Sequence, residues 1–404
     1  MAHLRGMVLI VATLALLGVA ATGCAVGGTT AASTTPTASP TATPIPCATR
    51  ATTTGIVWIE KGDKQIHGGV GGPAPAALST FAYPLTPAEP GYVDSGPVQV
   101  SLAPDGKHMA VLQAQIIPNS DAPQQYILFS VDTATHAATR IANVGMRVAL
   151  MGWADMKTLL YTQSPFWPSH VATENLHFYD IASHADSTIS GVKGVTKAEV
   201  RCSTLYWSEY APGSGIGKEL LHRYNLTTHA EIGAPLDLGT AFRLPSEFAG
   251  PDSITGGGDW DISADNTTLV WQKLGTVTVA SSGDAVIGTS TYQKAAADGS
   301  GATAILAGAP AAARTHVASL ALSPMGTQVA LAAEVVMVSG EIAATRSYTP
   351  SSGFSAAPAW LPDGSGFLAD IFSGSTTNIY QYSVTGSLAG IVAQATASGA
   401  ETLP

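Results

Sequence analysis

Residues 101–112 read SLAPDGKHMAVL and set the pattern for most of the chain. Apolar residues flank a Pro-Asp-Gly sequence, which is typical of two strands joined by a tight turn. Degraded copies of this pattern follow at residues 153–161, 262–271, 322–330 and 360–368. A hairpin that recurs every ~40–60 residues predicts a repeat architecture, most often a propeller.

A second recurring element strengthens this prediction. It consists of an apolar or aromatic strand, then Asp or Asn, then a small polar turn. Copies stand at residues 126–136, 176–184, 220–229 and 379–387, the last with Ser383 in the Asp position. We interpret this element as the hairpin between the third and fourth strands of a blade. Together the two elements predict modules of about four strands near residues 98–145, 146–192, 193–240, 255–310, 316–353 and 355–396.

The start of the domain is a fragment of the same unit. Residues 55–60 match the second strand of other modules, and residues 79–85 resemble a third strand. The missing inner strand has to come from elsewhere, and residues 400–404 are left over at the C-terminus. We therefore expect the C-terminus to complete the first blade and close the ring, leaving no open sheet edge. Six modules plus this shared blade predict seven blades, and six is the alternative if the weak module at 316–353 is an insertion.

Residues 102–111 and 361–368 resemble the repeat of TolB-like, WD40-like β-propellers, although only these two copies keep the full Pro-Asp-Gly sequence. Weaker copies cover most of residues 55–404. The resemblance implies an all-β fold of four-stranded antiparallel blades, with Asp105 and Asp363 as turn residues. The family includes periplasmic binding scaffolds and propellers attached to serine peptidase domains, so the resemblance implies a fold and not a function.

The composition suits an all-β protein and argues against nucleic-acid binding. Only 11% of the residues are charged, and the formal net charge is −10, from 18 Lys and Arg against 28 Asp and Glu. No basic run provides an electrostatic surface for a phosphate backbone. We therefore expect no nucleic-acid partner. The 404 residues are enough for a propeller that occupies most of the chain as one domain.

The N-terminus has the features of an exported lipoprotein. The apolar run at residues 7–21 is about 15 residues long, shorter than the ~20 that a membrane-spanning helix needs, and fits a secretory signal peptide. It ends in ATGC at residues 21–24, which resembles the bacterial lipobox except that Ala21 stands where Leu is usual. The resemblance implies that Cys24 becomes the mature N-terminus and carries the lipid. Ordinary secretion, with cleavage after Ala20 or Ala21, is the alternative.

The next segment predicts a tether. Residues 25–46 are almost all Thr, Ala, Ser, Pro and Gly, and repeated Pro blocks both helices and sheet ladders. We therefore predict a lipoprotein signal peptide at 1–23, a disordered tether at 24–46 and a TolB-like propeller at 47–404. Such a protein would be lipid-anchored in the cell membrane and would face the extracytoplasmic side.

Cysteine usage agrees with an exported protein. With Cys24 lipidated, only Cys47 and Cys202 remain, and such a pair outside the cytoplasm indicates a disulfide. Two unpaired thiols are the alternative. Neither cysteine has a CxxC or HxxxH spacing beside it, so we expect no metal ligands there.

Sequence motifs for catalysis are missing. The chain has no G-x-S-x-G nucleophile elbow, no ~200-residue α/β region, no P-loop and no G-x-G-x-x-G after a strand. We therefore expect no catalytic residue, no metal and no cofactor. A propeller enzyme would need carboxylates or histidines at the mouth of the central channel. Glu60, Glu199, Asp259 and Asp261 could lie there, although their spacing does not require it.

Three histidines invite a metal interpretation, but their positions favour turns. His136, His184 and His229 recur at the same place in successive modules, 48 and 45 residues apart. A repeated turn position puts them on different blades and not at one metal site. The aspartates of the Asp-Gly turns and of their degraded copies receive the same interpretation.

Aromatic residues fall into two groups. Trp58, Trp207, Trp271 and Trp360 lie on predicted strands and are expected to pack between blades. Phe166 and Trp167 instead lie in a proline-bounded loop, and aromatic residues in loops are enriched at recognition surfaces. This loop is our candidate partner-binding loop, and a loop that caps its own blade is the alternative.

These observations lead to one functional hypothesis and two alternatives. We expect a monomeric, membrane-anchored binding or scaffolding propeller for a protein or cell-envelope polymer, without catalysis of its own. The alternatives are a lactonase-like or glycan-cleaving propeller enzyme and a small-ligand sensor, each with its site at the mouth of the central channel.

Overall fold

The computed structural model consists of β-strands and their turns. It describes residues 55–60, 65–70, 90–92, 94–119, 125–143, 147–164, 173–193, 195–211, 216–243, 255–256, 258–279, 285–288, 290–305, 320–331, 334–337, 342–345, 358–373, 376–385, 387–393 and 397–402. Within these ranges, no helix has the length and apolar character needed to cross a membrane.

The strands are short, as the spacing of the turns predicts. The first fifteen are β1 (Gly55–Glu60), β2 (Gln65–Val70), β3 (Asp94–Leu102), β4 (His108–Ile116), β5 (Gln125–Asp132), β6 (Ala138–Asn143), β7 (Arg147–Trp153), β8 (Thr158–Ser164), β9 (Thr173–Asp180), β10 (Asp186–Lys193), β11 (Val195–Arg201), β12 (Thr204–Ala211), β13 (Ile216–Asn225), β14 (Ala230–Glu231) and β15 (Leu236–Arg243). The remaining sixteen are β16 (Thr255–Gly256), β17 (Trp260–Ile262), β18 (Thr268–Leu274), β19 (Val277–Val279), β20 (Ala285–Ile287), β21 (Ser290–Ala296), β22 (Thr303–Ala304), β23 (Leu320–Leu322), β24 (Gln328–Leu331), β25 (Glu334–Met337), β26 (Ile342–Thr345), β27 (Ala359–Trp360), β28 (Gly366–Ser373), β29 (Thr376–Ser383), β30 (Leu388–Ala393) and β31 (Ala397–Thr402).

These strands pair in antiparallel sheets that follow one another along the chain. Sheet 1 has the order β2-β1-β31, sheet 2 the order β3-β4-β5-β6, and sheet 3 the order β7-β8-β9-β10. Sheet 4 has six strands, in the order β11-β12-β13-β15-β16 with β14 also on β13. Sheet 5 is β17-β18-β21-β22, and β19-β20 is a separate hairpin. Sheet 6 is β23-β24-β25-β26, and sheet 7 is β27-β28-β29-β30.

The sheets confirm an all-β propeller of antiparallel blades, but the prediction of seven four-stranded blades is wrong. Among the described residues, five sheets have four strands. Sheet 1 has three, because β1 pairs with β2 and β31, whereas the predicted third strand at 79–85 lies outside the described residues. Sheet 4 has six, because the two-residue strands β14 and β16 extend it. The blade count and closure of the whole ring remain predictions.

The repeated hairpin has the geometry that its sequence predicts. In sheet 2, the Ala103 N–H donates to the His108 carbonyl at 2.9 Å, and Asp105 Oδ1 accepts a hydrogen bond from the Lys107 N–H at 2.9 Å. Gly106 has a φ of +67°, a conformation that glycine adopts readily because it has no Cβ. Cys202 occupies the corresponding turn of sheet 4 at +57°. The copy that lacks Asp-Gly therefore keeps a positive φ, although its turn is shorter and spans only residues 202–203.

The predicted turn histidines are confirmed as turn residues. His136, His184 and His229 follow the third strands of sheets 2, 3 and 4, with φ values of 60°, 59° and 54°. The preceding Asp or Asn fixes each turn; Asp132 Oδ1, for example, accepts hydrogen bonds from two backbone N–H groups at 3.0 and 2.7 Å. Each histidine lies on its own sheet, which agrees with a structural role.

The core lies between consecutive sheets. As predicted, Trp58 packs with sheet 7, Trp207 with sheet 3, Trp271 with sheet 4 and Trp360 with sheet 6. The Trp360 indole also donates to the Ala321 carbonyl of the preceding sheet at 2.8 Å. Such contacts bury the apolar face of one sheet against the next and align their first strands.

Candidate functional site

The main polar cluster of the described residues lies on the first strands of sheets 4 and 5. Side chains alternate along a strand, so Lys197, Glu199 and Arg201 of β11 share one face. Asp259 and Asp261 share a face in the same way, at and just before β17. The two strands belong to consecutive sheets, and their charged faces meet. We call these five side chains the first-strand charge cluster.

Lys197 forms one half of the contact. Its Nζ lies 2.9 Å from Glu199 Oε1 and 3.3 Å from Asp259 Oδ1. The ammonium also donates to the Trp260 carbonyl at 2.5 Å and lies 5.0 Å from the centre of the Trp260 ring. A single cation from sheet 4 therefore neutralises a carboxylate of sheet 5 and satisfies one of its backbone acceptors.

Arg201 forms the other half. Its Nη2 lies 2.7 Å from Glu199 Oε2 and 3.4 Å from Asp261 Oδ1. Its Nε donates to the Ile262 carbonyl at 3.0 Å, and its Nη1 to the Val200 carbonyl at 3.1 Å. Three guanidinium N–H groups thus donate hydrogen bonds, and Glu199 adds an ion pair. All of these partners belong either to β11 itself or to β17 of the next sheet.

The two aspartates carry the connection on to sheet 6. Asp259 Oδ2 accepts a hydrogen bond from the Leu320 N–H at 2.9 Å, and Asp261 Oδ2 accepts one from the Leu322 N–H at 2.6 Å. Both donors belong to β23, the first strand of sheet 6. The carboxylates therefore cover N–H groups on the edge of β23 that has no strand partner among the described residues. Side chains of the cluster link the first strands of three consecutive sheets.

Burial makes the charges of the cluster interdependent. The side chains of Glu199 and Asp261 are only 14% and 11% exposed. Burial raises the pKa of the Asp261 carboxyl to about 7, with repulsion from Glu199 as the next cause. Burial also acts to raise the pKa of Glu199, but the charges of Lys197 and Arg201 lower it below its ordinary value. The neighbouring cations thus favour the ionised form of Glu199, and Asp261 is the group poised to take up a proton.

The sequence anticipated part of this cluster. Of the four carboxylates considered for a channel mouth, the structure brings together Glu199, Asp259 and Asp261, while the side chain of Glu60 lies outside the described residues. Sequence reasoning missed Lys197 and Arg201. The signal was there, because Lys-x-Glu-x-Arg at 197–201 and Asp-x-Asp at 259–261 both place charges on one face of a strand.

A cavity of about 470 Å³ opens beside the cluster. Its walls are β3, β7 and β11, the first strands of sheets 2, 3 and 4, and Glu199 and Arg201 form part of its lining. Gly152 stands in the wall at a φ of +112°, where a side chain is disfavoured. This volume falls within the range of ~300–1,000 Å³ typical of small-molecule sites.

The remaining predicted site residues have different outcomes. Cys24, Cys47, Phe166 and Trp167 lie outside the described residues. Cys202 is disulfide-bonded, at the first turn of sheet 4. Over the part of the chain that the structure describes, no group of three or more His, Cys, Asp or Glu is arranged to hold a metal ion.

Sheet order, turn geometry and first-strand contacts together define the class of the protein: it is a β-propeller. No protein-family model and no curated protein matches the chain. Among solved structures, it is similar to a prolyl endopeptidase, with a TM-score of 0.55 and 13% identity over 88% of this chain and 50% of that one. It is also similar to TolB from Acinetobacter baumannii, with a TM-score of 0.45 and 12% identity over 87% of this chain and 66% of that one. The chain thus spans between half and two thirds of those proteins, and at such identities the likeness concerns the fold alone.

Proposed function

We propose that the protein is a binding or scaffolding propeller, held at the extracytoplasmic face of a membrane, without catalysis of its own. The observation that carries this proposal is the use of the first-strand charge cluster. Glu199 and Asp259 pair with Lys197, and the aspartates accept hydrogen bonds from the β23 backbone. Carboxylates committed to linking blades favour a rigid ring over general acid–base chemistry.

We propose that the ring is closed by sheet 1, which is shared between the two ends of the chain. The pairing of β31 with β1, which sets Ile56 opposite Thr402, supports this arrangement. So do contacts of β31 with β3 on one side and with β27 on the other. Such a closure protects the edges of the first and last sheets. Deleting residues 397–404 is expected to reduce cooperativity of unfolding, and an unchanged unfolding transition would count against closure.

We propose that a lipid on Cys24 anchors the protein in the cell membrane. The ATGC sequence at 21–24 and the tether at 24–46 support it. Metabolic labelling with palmitate is expected to mark the wild-type protein but not Cys24→Ala. Equal labelling of both proteins, or of neither, would show that the protein is not lipid-anchored through this residue.

We propose that the disulfide of Cys202 is made with Cys47. The bond at Cys202 supports this pairing, because Cys24 is the one other cysteine and is assigned to the lipid. The bond would fix the end of the tether to sheet 4. Non-reducing peptide mapping is expected to recover one peptide pair that contains both residues, and recovery of Cys24 in that pair would contradict the assignment.

The partner is proposed to be a protein or envelope polymer that contacts the loop carrying Phe166 and Trp167. The loop connects β8 with β9, and two large aromatic residues in a loop favour recognition. Affinity purification from membranes would compare the wild type with a Phe166→Ser/Trp167→Ser variant. Met156→Ser provides the control, because Met156 is 54% exposed in the turn before β8. Loss of the wild-type partner from both the loop variant and the control, or from neither, would contradict this role.

The cavity supports a second candidate function, that of a small-ligand sensor. It lies among first strands, where the central channel of a propeller is expected, and its lining combines apolar and charged side chains. Binding there would be compatible with a scaffold whose outer loops contact a larger partner. The chemistry of the lining indicates which class of ligand such a sensor would take.

A further inference from the structure

The lining of the cavity between β3, β7 and β11 is about equally polar and apolar. Val98, Leu150, Met151, Trp153 and Val200 contribute side chains to its walls. Val98 is 44% exposed, so this end of the cavity is open to solvent. Apolar walls of this kind suit the body of a small molecule, and the few polar groups decide its orientation.

Besides the Glu199 carboxylate, the polar side chains of the lining are Gln99, Ser101 and Arg201, each of which can donate a hydrogen bond. Gln99 Oε1 accepts a hydrogen bond from the Leu150 N–H at 2.9 Å, which leaves the Gln99 amide N–H₂ to donate. The Ser101 carbonyl accepts from the Trp153 indole at 3.2 Å. The Ser101 hydroxyl has no hydrogen-bond partner among the described residues, and neither has the second N–H of Arg201 Nη1.

The exposed fractions of the charged side chains indicate which charge the cavity presents to a ligand. The Arg201 side chain is 25% exposed, whereas its partners Glu199 and Asp261 are 14% and 11% exposed. Both oxygens of Glu199 already face cations, Oε1 facing Lys197 and Oε2 facing Arg201. A ligand entering the cavity therefore meets the more exposed guanidinium next to a carboxylate whose charge Lys197 and Arg201 already balance.

We propose that this cavity binds a small monocarboxylate with an apolar body. The carboxylate would accept hydrogen bonds from the Gln99 amide, the Ser101 hydroxyl and the free N–H of Arg201. Hydrogen bonds of this kind with a charged acceptor are stronger than neutral ones. Gly152 keeps the wall open, because a Cβ built there would have Ser101 Oγ, 4.0 Å away, as its nearest neighbour. This inference rests on the sensor function proposed above and deepens it.

The test uses the purified full-length protein and a set of aliphatic and aromatic monocarboxylates. Each acid is paired with its amide and its amine, as in phenylacetate, phenylacetamide and phenethylamine, and inorganic phosphate is included as an anion without an apolar body. Ligand-observed NMR followed by calorimetry measures saturable binding. At least one carboxylate is expected to bind about tenfold or more tightly than its amide or its amine, because each of these loses the charge-assisted hydrogen bonds. It is also expected to bind about tenfold or more tightly than phosphate, because phosphate lacks the apolar body.

Two variants test the donors without altering the charge cluster. Ser101→Ala removes one donor, and Gln99→Met removes one donor together with the acceptor of the Leu150 N–H. Each is expected to weaken carboxylate binding roughly ten- to hundredfold. Ser130→Ala is the matched control, because Ser130 is a similarly buried serine of sheet 2 on β5, outside the cavity lining. It is expected to leave binding unchanged.

Several results would overturn the proposal. One is the absence of saturable binding for every acid of the set. Another is binding of the amines or of phosphate that is as tight as that of the carboxylates or tighter. A third is wild-type affinity in both donor variants. Partner capture distinguishes this failure from failure of the scaffold proposal. The Phe166→Ser/Trp167→Ser variant is expected to lose the partner and keep the ligand, whereas Gln99→Met is expected to do the reverse.

Discussion

Replacing Lys197 by Met tests whether the first-strand charge cluster stabilises the ring. The change keeps most of the length of the side chain and removes the ammonium. It deletes the contacts with Glu199 at 2.9 Å and Asp259 at 3.3 Å, and the hydrogen bond to the Trp260 carbonyl. Asp259, whose side chain is only 19% exposed, would lose its cation, and Glu199, 14% exposed, would keep only its ion pair with Arg201.

The expected loss of stability follows from the burial of these groups. Removing one partner of a fully buried ion pair costs roughly 3–5 kcal/mol, whereas an exposed pair contributes about 0–1 kcal/mol. The Lys197 side chain is 30% exposed, so solvent screens part of the interaction. We therefore expect Lys197→Met to lower the free energy of unfolding by about 2–4 kcal/mol.

Lys218 of β13 provides the matched control in the same sheet. Its Nζ lies only 2.6 Å from Asp237, yet the two side chains are 64% and 48% exposed. Lys218→Met is therefore expected to change the free energy of unfolding by less than about 1 kcal/mol. Urea unfolding followed by tryptophan fluorescence measures both variants at one pH. Equal stability of the two variants would refute the reasoning, because burial would then not decide the contribution.

Three further predictions concern protonation, turns and inter-blade contacts. The pKa of Asp261 is raised from 3.8 to about 7, so the folded protein loses stability as pH rises from about 4 to 7 and this carboxyl ionises. The free energy of unfolding of Asp261→Asn, measured in urea, should therefore rise relative to that of the wild type over this range. A difference between the two proteins that does not change with pH would contradict this. Gly364 has a φ of +70°, so Gly364→Ala should lower the free energy of unfolding by about 1–2 kcal/mol. Gly390→Ala should lower it less, because a Cβ at Gly390 would have no atom within 4 Å. Equal losses in thermal unfolding would show that backbone conformation is not the cause. Trp360→Phe removes the indole hydrogen bond to the Ala321 carbonyl, whereas the indole N–H of Trp271 has no partner among the described residues. Trp360→Phe should therefore destabilise the protein about 1 kcal/mol more than Trp271→Phe. A greater loss of stability in Trp271→Phe, measured by urea unfolding, would contradict this role of the hydrogen bond.

The hairpins could be predicted from sequence because turn chemistry is local. Pro-Asp-Gly at 104–106 specifies both a left-handed glycine and a carboxylate that accepts from the backbone. Even the degraded copy at Cys202 keeps a positive φ of 57°, since the neighbouring strands fix the turn. By contrast, β2 was missed, because Gln65–Val70 contains two glycines and has a weak strand pattern.

The charge cluster could be predicted only in part, because its contacts are not local. Lys197 and Asp259 are 62 residues apart in sequence and meet only when sheets 4 and 5 are consecutive. The carboxylates stood out as channel-mouth candidates, but nothing in the sequence told which cation they would face. The number of four-stranded blades was wrong for a different reason: β2 had not been predicted in sheet 1, and the two-residue strands β14 and β16 extend sheet 4.

The central claim is that charged side chains of the first strands join consecutive blades. A double-mutant cycle between Lys197→Met and Asp259→Asn measures this link directly, because the amide oxygen introduced by the second substitution would still be able to accept the hydrogen bond from the Leu320 N–H. We expect a coupling free energy of about 1–3 kcal/mol between the two substitutions in urea unfolding. Two variants whose effects add to within about 0.5 kcal/mol would contradict it, because the cation and the carboxylate would then act independently.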